Sequence, residues 1–134
     1  MINLEKMDEI LAVDDVVRYV SIVDSKGNTI NSRMKKNSTD ISQDEEREYA
    51  MDLCITKQML DVFNGPFGRT ISLQTTREKT RQLIYYHDYL IIYITCDPRA
   101  NNKKISEISS KIEHLVHEMV SSPQHDLEIK QKSV

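Results

Sequence analysis

Arg81-Gln-Leu-Ile-Tyr-Tyr-His-Asp-Tyr-Leu-Ile-Ile-Tyr-Ile-Thr-Cys96 is the stretch whose reading decides the fold. It is the most apolar run in the chain, rich in β-branched and aromatic residues, and polar His87-Asp88 interrupts its middle. That pattern predicts two strands joined by a tight turn. In the second strand Leu90, Ile92, Ile94 and Cys96 share one face, while Tyr89, Ile91, Tyr93 and Thr95 share the other. Both faces are apolar, so this strand belongs at the centre of a sheet covered on both sides.

Upstream, Arg69 to Arg77 reads as a further strand, with Ile71, Leu73 and Thr75 alternating against Ser72, Gln74 and Thr76. One face is apolar and the other polar, which suits an edge or a subunit boundary. Before it, Ser42-Gln43-Asp44-Glu45 is a capping box that starts a helix running to about Asn64. Asn64-Gly65-Pro66-Phe67-Gly68 stops that helix, since Gly ends helices and Pro cannot continue them. At 100° per residue the helix carries two apolar stripes. Tyr49, Leu53, Leu60 and Phe63 form the first, which covers the sheet. Met51, Ile55 and Val62, with Met59 between the two, form a second that needs other company. That company is either a partner or the loop from Met34 to Ile41 folding over it.

The N-terminal third supplies a helix and a hairpin. Leu4, Met7, Ile10 and Leu11 recur at helical spacing over Asn3 to Val13, with Asn3 as a partial cap. Val16 to Asp24 is a strand, Gly27 provides the positive φ of the turn, and Thr29 to Arg33 returns as a short, polar edge strand. Beyond Cys96, Asn101 or Asn102 caps a last helix over Lys103 to Val120, whose Ile105, Ile108, Ile112, Leu115, Val116 and Met119 make one stripe. Residues 1–120 form one domain, and from Ser121 onward the chain lacks periodicity and reads as a disordered tail, 121–134.

A chain of 134 residues is long enough to bury a core without staples. Its net charge of −3 gives no footprint for nucleic acid or for an anionic membrane surface. No run approaches the ~18 apolar residues of a membrane span, and no signal peptide is visible. Cys54 and Cys96 read as reduced, small core hydrophobes of a cytoplasmic protein.

Together the elements predict an α+β fold with three α/β/α layers around a five-stranded antiparallel sheet: helix, two strands, helix, three strands, helix. In this order, in Ser-Ile-Val-Asp-Ser-Lys-Gly-Asn-Thr-Ile (21–30) and in Tyr-Leu-Ile-Ile-Tyr-Ile-Thr (89–95), the chain resembles the Roadblock, or dynein-light-chain-like, family over about residues 3–120. That family belongs with longin and profilin-like sheets. The resemblance implies a non-enzymatic module that homodimerises and scaffolds or regulates a small Ras-like GTPase. The family's dimer extends the sheet through the third strand and pairs the middle helices, which here implicates Ile71 and Leu73 with Met51, Ile55, Met59 and Val62. The alternative is a PAS- or Cache-like sensor holding a small molecule between middle helix and sheet, near Tyr49, Tyr86 and Tyr93.

Catalysis finds little support in the residue pattern, and neither a cofactor nor a metal is expected. His114, His117 and Glu118 have helical metal-ligand spacing but sit opposite the apolar stripe, as a solvated surface. His87 and Asp88 share a turn, where Asp is common for its own reasons. No phosphate-binding or nucleophile motif occurs. Tyr85, Tyr86, Tyr89 and Tyr93 would be hidden from RNA in a sheet covered on both faces.

Overall fold

The central hairpin and its neighbours form as the pattern predicts. In chain order, a computed structural model gives α1 (Glu5–Leu11), β1 (Val17–Asp24), β2 (Thr29–Met34), α2 (Gln43–Asp61), α3 (Asn64–Phe67), β3 (Ser72–Thr76), β4 (Arg81–His87), β5 (Leu90–Cys96) and α4 (Asn102–Val120). The structure describes residues 2–35 and 42–121. The expectations for the loop at 36–41 and the tail at 122–134 fall outside the described residues.

The strands form one antiparallel sheet in the order β2-β1-β5-β4-β3, so β5 occupies its centre. Every residue of β5 is buried. Its Leu90, Ile92, Ile94 and Cys96 join Val20, Ile22, Leu83 and Tyr85 beneath α1 and α4. Ile91 and Tyr93 join Tyr19, Val23 and Ile84 on the other face, beneath Ala50, Leu53 and Cys54 of α2. Period-two alternation thus feeds two cores from one strand.

Local chemistry sets the element ends. Ser42 Oγ accepts from the Glu45 amide at 3.2 Å, and the Glu45 carboxylate accepts from the Ser42 amide at 3.3 Å, completing the capping box. Asn101 caps α4 by accepting from the Lys104 amide at 2.8 Å. Gly27 has φ +87°, as its turn requires. Asp14 accepts from the Val16 amide at 3.0 Å, a turn leading into β1.

Three local expectations change. Tyr89 is not in β5 but in the two-residue turn with Asp88, whose φ of +54° Asp tolerates better than most residues. Asn3 is not the cap of α1; that position is Leu4, without a side-chain bond, and Asn3 accepts from the Glu5 amide at 3.2 Å instead. Nor does Asn64-Gly65-Pro66-Phe67 simply stop the chain. It winds into α3, because Pro66 lies in the first turn of a new helix, where no intrahelical N–H is needed.

Candidate functional site

α2 is fastened to the sheet along one side. Tyr19 O–H donates to the Glu46 carboxylate, Tyr49 O–H donates to Gln82 Oε1 at 2.9 Å, and Cys54 Sγ donates to Asp24 O at 3.3 Å. Thr75 Oγ1 donates to the same Gln82 oxygen at 2.8 Å, tying β3 into the cluster. Ala50, Leu53 and Cys54 are the buried residues of the helix. The small residues Ala50 and Cys54 carry little weight in a hydrophobic pattern, so the true buried stripe was only partly legible. Burial raises the thiol pKa of Cys54 and pushes that of Cys96 up to about 12, leaving both as inert core groups.

The two flanks of α2 face opposite edges of the sheet. Met51 leans over the β1–β2 turn, where a Cβ added to Gly27 would lie 2.9 Å from Met51 Cε. Ile55 and Val62 follow Met51 on the wheel and are 48% and 73% exposed. Tyr49, Asp52 and Thr56 look the other way and face Leu73, Thr75 and Arg77 across a cleft. The six residues implicated by resemblance are therefore not one patch. Met51, Ile55 and Val62 lie towards β2, Ile71 and Leu73 lie towards β3, and Met59 is exposed between them. Leu73 is half-buried against the α2-side core, while Ile71 is 66% exposed.

The cleft beneath α2 runs from β3–β4 across β5 and β1 to Met34 of β2 and has a volume of about 910 Å³. Glu45, Glu48 and Asp52 line its helical wall; Arg77 and Lys79 stand on the opposite wall. Among the described residues no ion pair joins the two walls. Tyr49 and Tyr93 of the expected ligand site line the cleft, and Tyr86 is not part of its lining. Tyr49 and Tyr93 meet edge-to-face with ring centroids 5.1 Å apart. Burial pushes the Tyr49 phenol up to about 12 and raises that of Tyr93, helped by the neighbouring Tyr19 hydroxyl.

Beside the cleft runs an open sheet edge. Tyr86 N–H donates to Ile71 O at 3.0 Å and Arg77 N–H to Thr80 O at 2.9 Å. Backbone groups alternate in direction along an antiparallel ladder, so Ile71, Leu73, Thr75 and Arg77 spend theirs on β4. Ser72, Gln74 and Thr76 turn theirs outward, with no strand beyond them among the described residues. Neither charge, proline nor bulge blunts β3, whose register with β4 is regular. At the opposite edge, β1 and β2 shift register at Ile22/Val23, and Arg33 reaches Asp8 across the edge at 3.7 Å.

A second apolar feature was missed from sequence. The helical pattern places Phe63 on the buried stripe, yet it is exposed and stacks on Phe67, with centroids 5.9 Å apart and planes at 26°. Phe67 is 81% exposed. The helical wheel fails here because α2 ends at Asp61 and the chain turns before α3. Asn64-Gly65-Pro66 was the signal available.

The other candidates take ordinary places. His114 is exposed and pairs with Glu118 at 2.6 Å, which also holds Lys6 at 2.8 Å and so links α4 to α1. Among the described residues no three His, Cys, Asp or Glu side chains gather as a metal site, and no helix is long and apolar enough to cross a membrane.

This geometry defines a Roadblock/profilin-like fold: a five-stranded antiparallel sheet with α2 on one face and α1 and α4 on the other. Solved structures agree. A Roadblock/LC7 domain from Streptomyces avermitilis superposes with a TM-score of 0.66 at 8% identity, covering 92% of this chain and 96% of that one. MglB with a tetrameric arrangement matches at 0.65 and 12%, covering 87% and 86%. Profilin IB from Acanthamoeba castellanii matches at 0.58 and 10%, covering 87% and 98%. No protein-family model matches the chain, and neither does any curated protein.

Proposed function

We propose that the chain is a non-enzymatic protein-interaction module that homodimerises through β3 and scaffolds or regulates a small Ras-like GTPase. The observation that carries this reading is the regular, unblunted β3 edge, where Ser72, Gln74 and Thr76 offer backbone groups beside exposed Ile71. Antiparallel pairing of β3 with a second β3 satisfies those groups and continues the sheet. Gln74 opposite its own counterpart is the register that pairs all three residues, with each Ser72 facing a Thr76. Ile71 and Leu73 then belong to the dimer contact.

Met51, Ile55 and Val62 face the other edge, so β3 pairing leaves their ridge free for the GTPase, with Met59 at its margin. The shared fold with MglB and a Roadblock/LC7 domain supports this assignment. The test is a titration against purified Ras-like GTPases, each loaded with GDP or with a non-hydrolysable GTP analogue. Binding to one loaded form, abolished by Ile55→Asp, is the expected result. No binding across the panel would remove the GTPase from the reading.

The cleft favours a second reading, a PAS- or Cache-like sensor that holds a small molecule against Tyr49 and Tyr93. A thermal-shift screen with amino acids, dicarboxylates and purines tests it. A reproducible rise in Tm for one class supports the sensor, and a flat response across all three counts against it.

A further inference from the structure

The exposed Phe63–Phe67 knob, which directly follows α2, and the cleft beneath α2 lie at opposite ends of β3. α3 and Phe67 precede Ile71 at the start of the strand, whereas Arg77 and Lys79 of the cleft follow its end. Leu73 pairs with Ile84, whose side chain lies in the α2-side core, so odd-numbered β3 residues share the α2 face. Antiparallel pairing about a two-fold axis brings the start of one β3 beside the end of the other. With Gln74 opposite its counterpart, Ile71 stands across from the partner's Arg77, and Leu73 stands across from the partner's Thr75. Each knob thereby arrives at the other copy's cleft.

We infer that Phe67, backed by Phe63, seats in the α2–β3 cleft of a second copy, so that two symmetric knob-and-cleft contacts lock the paired strands. This rests on the β3 dimer proposed above and names what completes it. Two observations converge. A five-residue edge is only ~17 Å long and alone buries far less than the roughly 800 Å² per partner of a stable interface, so further contact is needed. The knob is apolar and stacked, the form of anchor that fills a partner's pocket, and the cleft floor offers Tyr49, Leu53 and Tyr93.

The test mixes two full-length single variants, Phe67→Cys and Asp52→Cys, under mild oxidation. Both positions are exposed, and the native Cys54 and Cys96 are buried. The expected product is a disulfide-linked pair containing one chain of each variant, with none from Phe67→Cys alone, since the two knobs sit at opposite ends of the dimer. Phe67→Ala should in addition weaken the dimer by about tenfold or more, as loss of a central aromatic anchor does. A wild type that is monomeric overturns this inference together with the dimer reading. A dimeric wild type whose mixed variants form no cross-link overturns this inference alone.

Discussion

The two faces of the sheet are finished differently. Beneath α1 and α4, nineteen buried residues among those described make a continuous core from Met7 to Val120, sealed at its margin by Ile2, Leu4 and Leu115. Beneath α2 eight of the described residues do so, one side opens into a cleft, and the helix exposes as many large apolar side chains (Met51, Ile55 and Met59) as it has residues buried (Ala50, Leu53 and Cys54). The first face supplies cooperative stability, because its side chains have nowhere else to pack. The second supplies surface, and two of its tyrosines, Tyr19 and Tyr49, are tied by hydrogen bonds to α2 and β4. The two sides of one sheet therefore do unlike work.

The largest expected effect probes that asymmetry. Ile92→Ala, at a fully buried site on the α1/α4 face, should cost roughly 2–5 kcal/mol of unfolding free energy by urea titration. A loss below about 1 kcal/mol would mean that this face is no better packed than the other. Alkali probes both faces together. Burial lifts the phenols of Tyr49 and Tyr85 to about 12, each above the ordinary value of 10.0. The folded state thus keeps protons that the unfolded chain releases, so stability is complete below pH 10 and falls as pH rises towards 12. Phenolate absorbance from the buried tyrosines, measured against a Tyr89→Phe background, should accordingly appear together with loss of helix signal. Phenolate formation well ahead of unfolding would show these rings to be reached by solvent.

Smaller effects sharpen the comparison. Ser42→Ala removes one half of the capping box and should cost about 1 kcal/mol, read as a lower Tm. Ile55→Asp, on the exposed ridge, should change stability by less than about 0.5 kcal/mol while abolishing partner binding. A marked drop in Tm for Ile55→Asp would place that side chain in a packed contact instead.

Much of this was legible in sequence because it is local. The capping box, the Asp24–Gly27 turn and the two-faced Leu90–Cys96 strand each announce themselves within a few residues. The flanks of α2 were not legible, for a geometric reason. A helical wheel fixes the angle between Met51 and Asp52, but not which sheet edge each one faces. That orientation follows from long-range anchors such as Cys54 to Asp24 and Tyr49 to Gln82, about thirty residues apart in sequence. A helical wheel misplaces Phe63 because α2 ends at Asp61. The cleft depends on how α2 lies over β3 and β4, which no local pattern encodes.

The association of two β3 strands is most directly tested by molar mass from light scattering, on the wild type and on Gln74→Pro. Proline removes the central outward N–H, and an edge strand tolerates it. With far-UV circular dichroism unchanged between the two, the wild type should weigh twice the chain mass of 15.6 kDa and the variant 15.6 kDa. A wild type of 15.6 kDa at micromolar concentration, or a Gln74→Pro variant that keeps the doubled mass, would contradict pairing through β3.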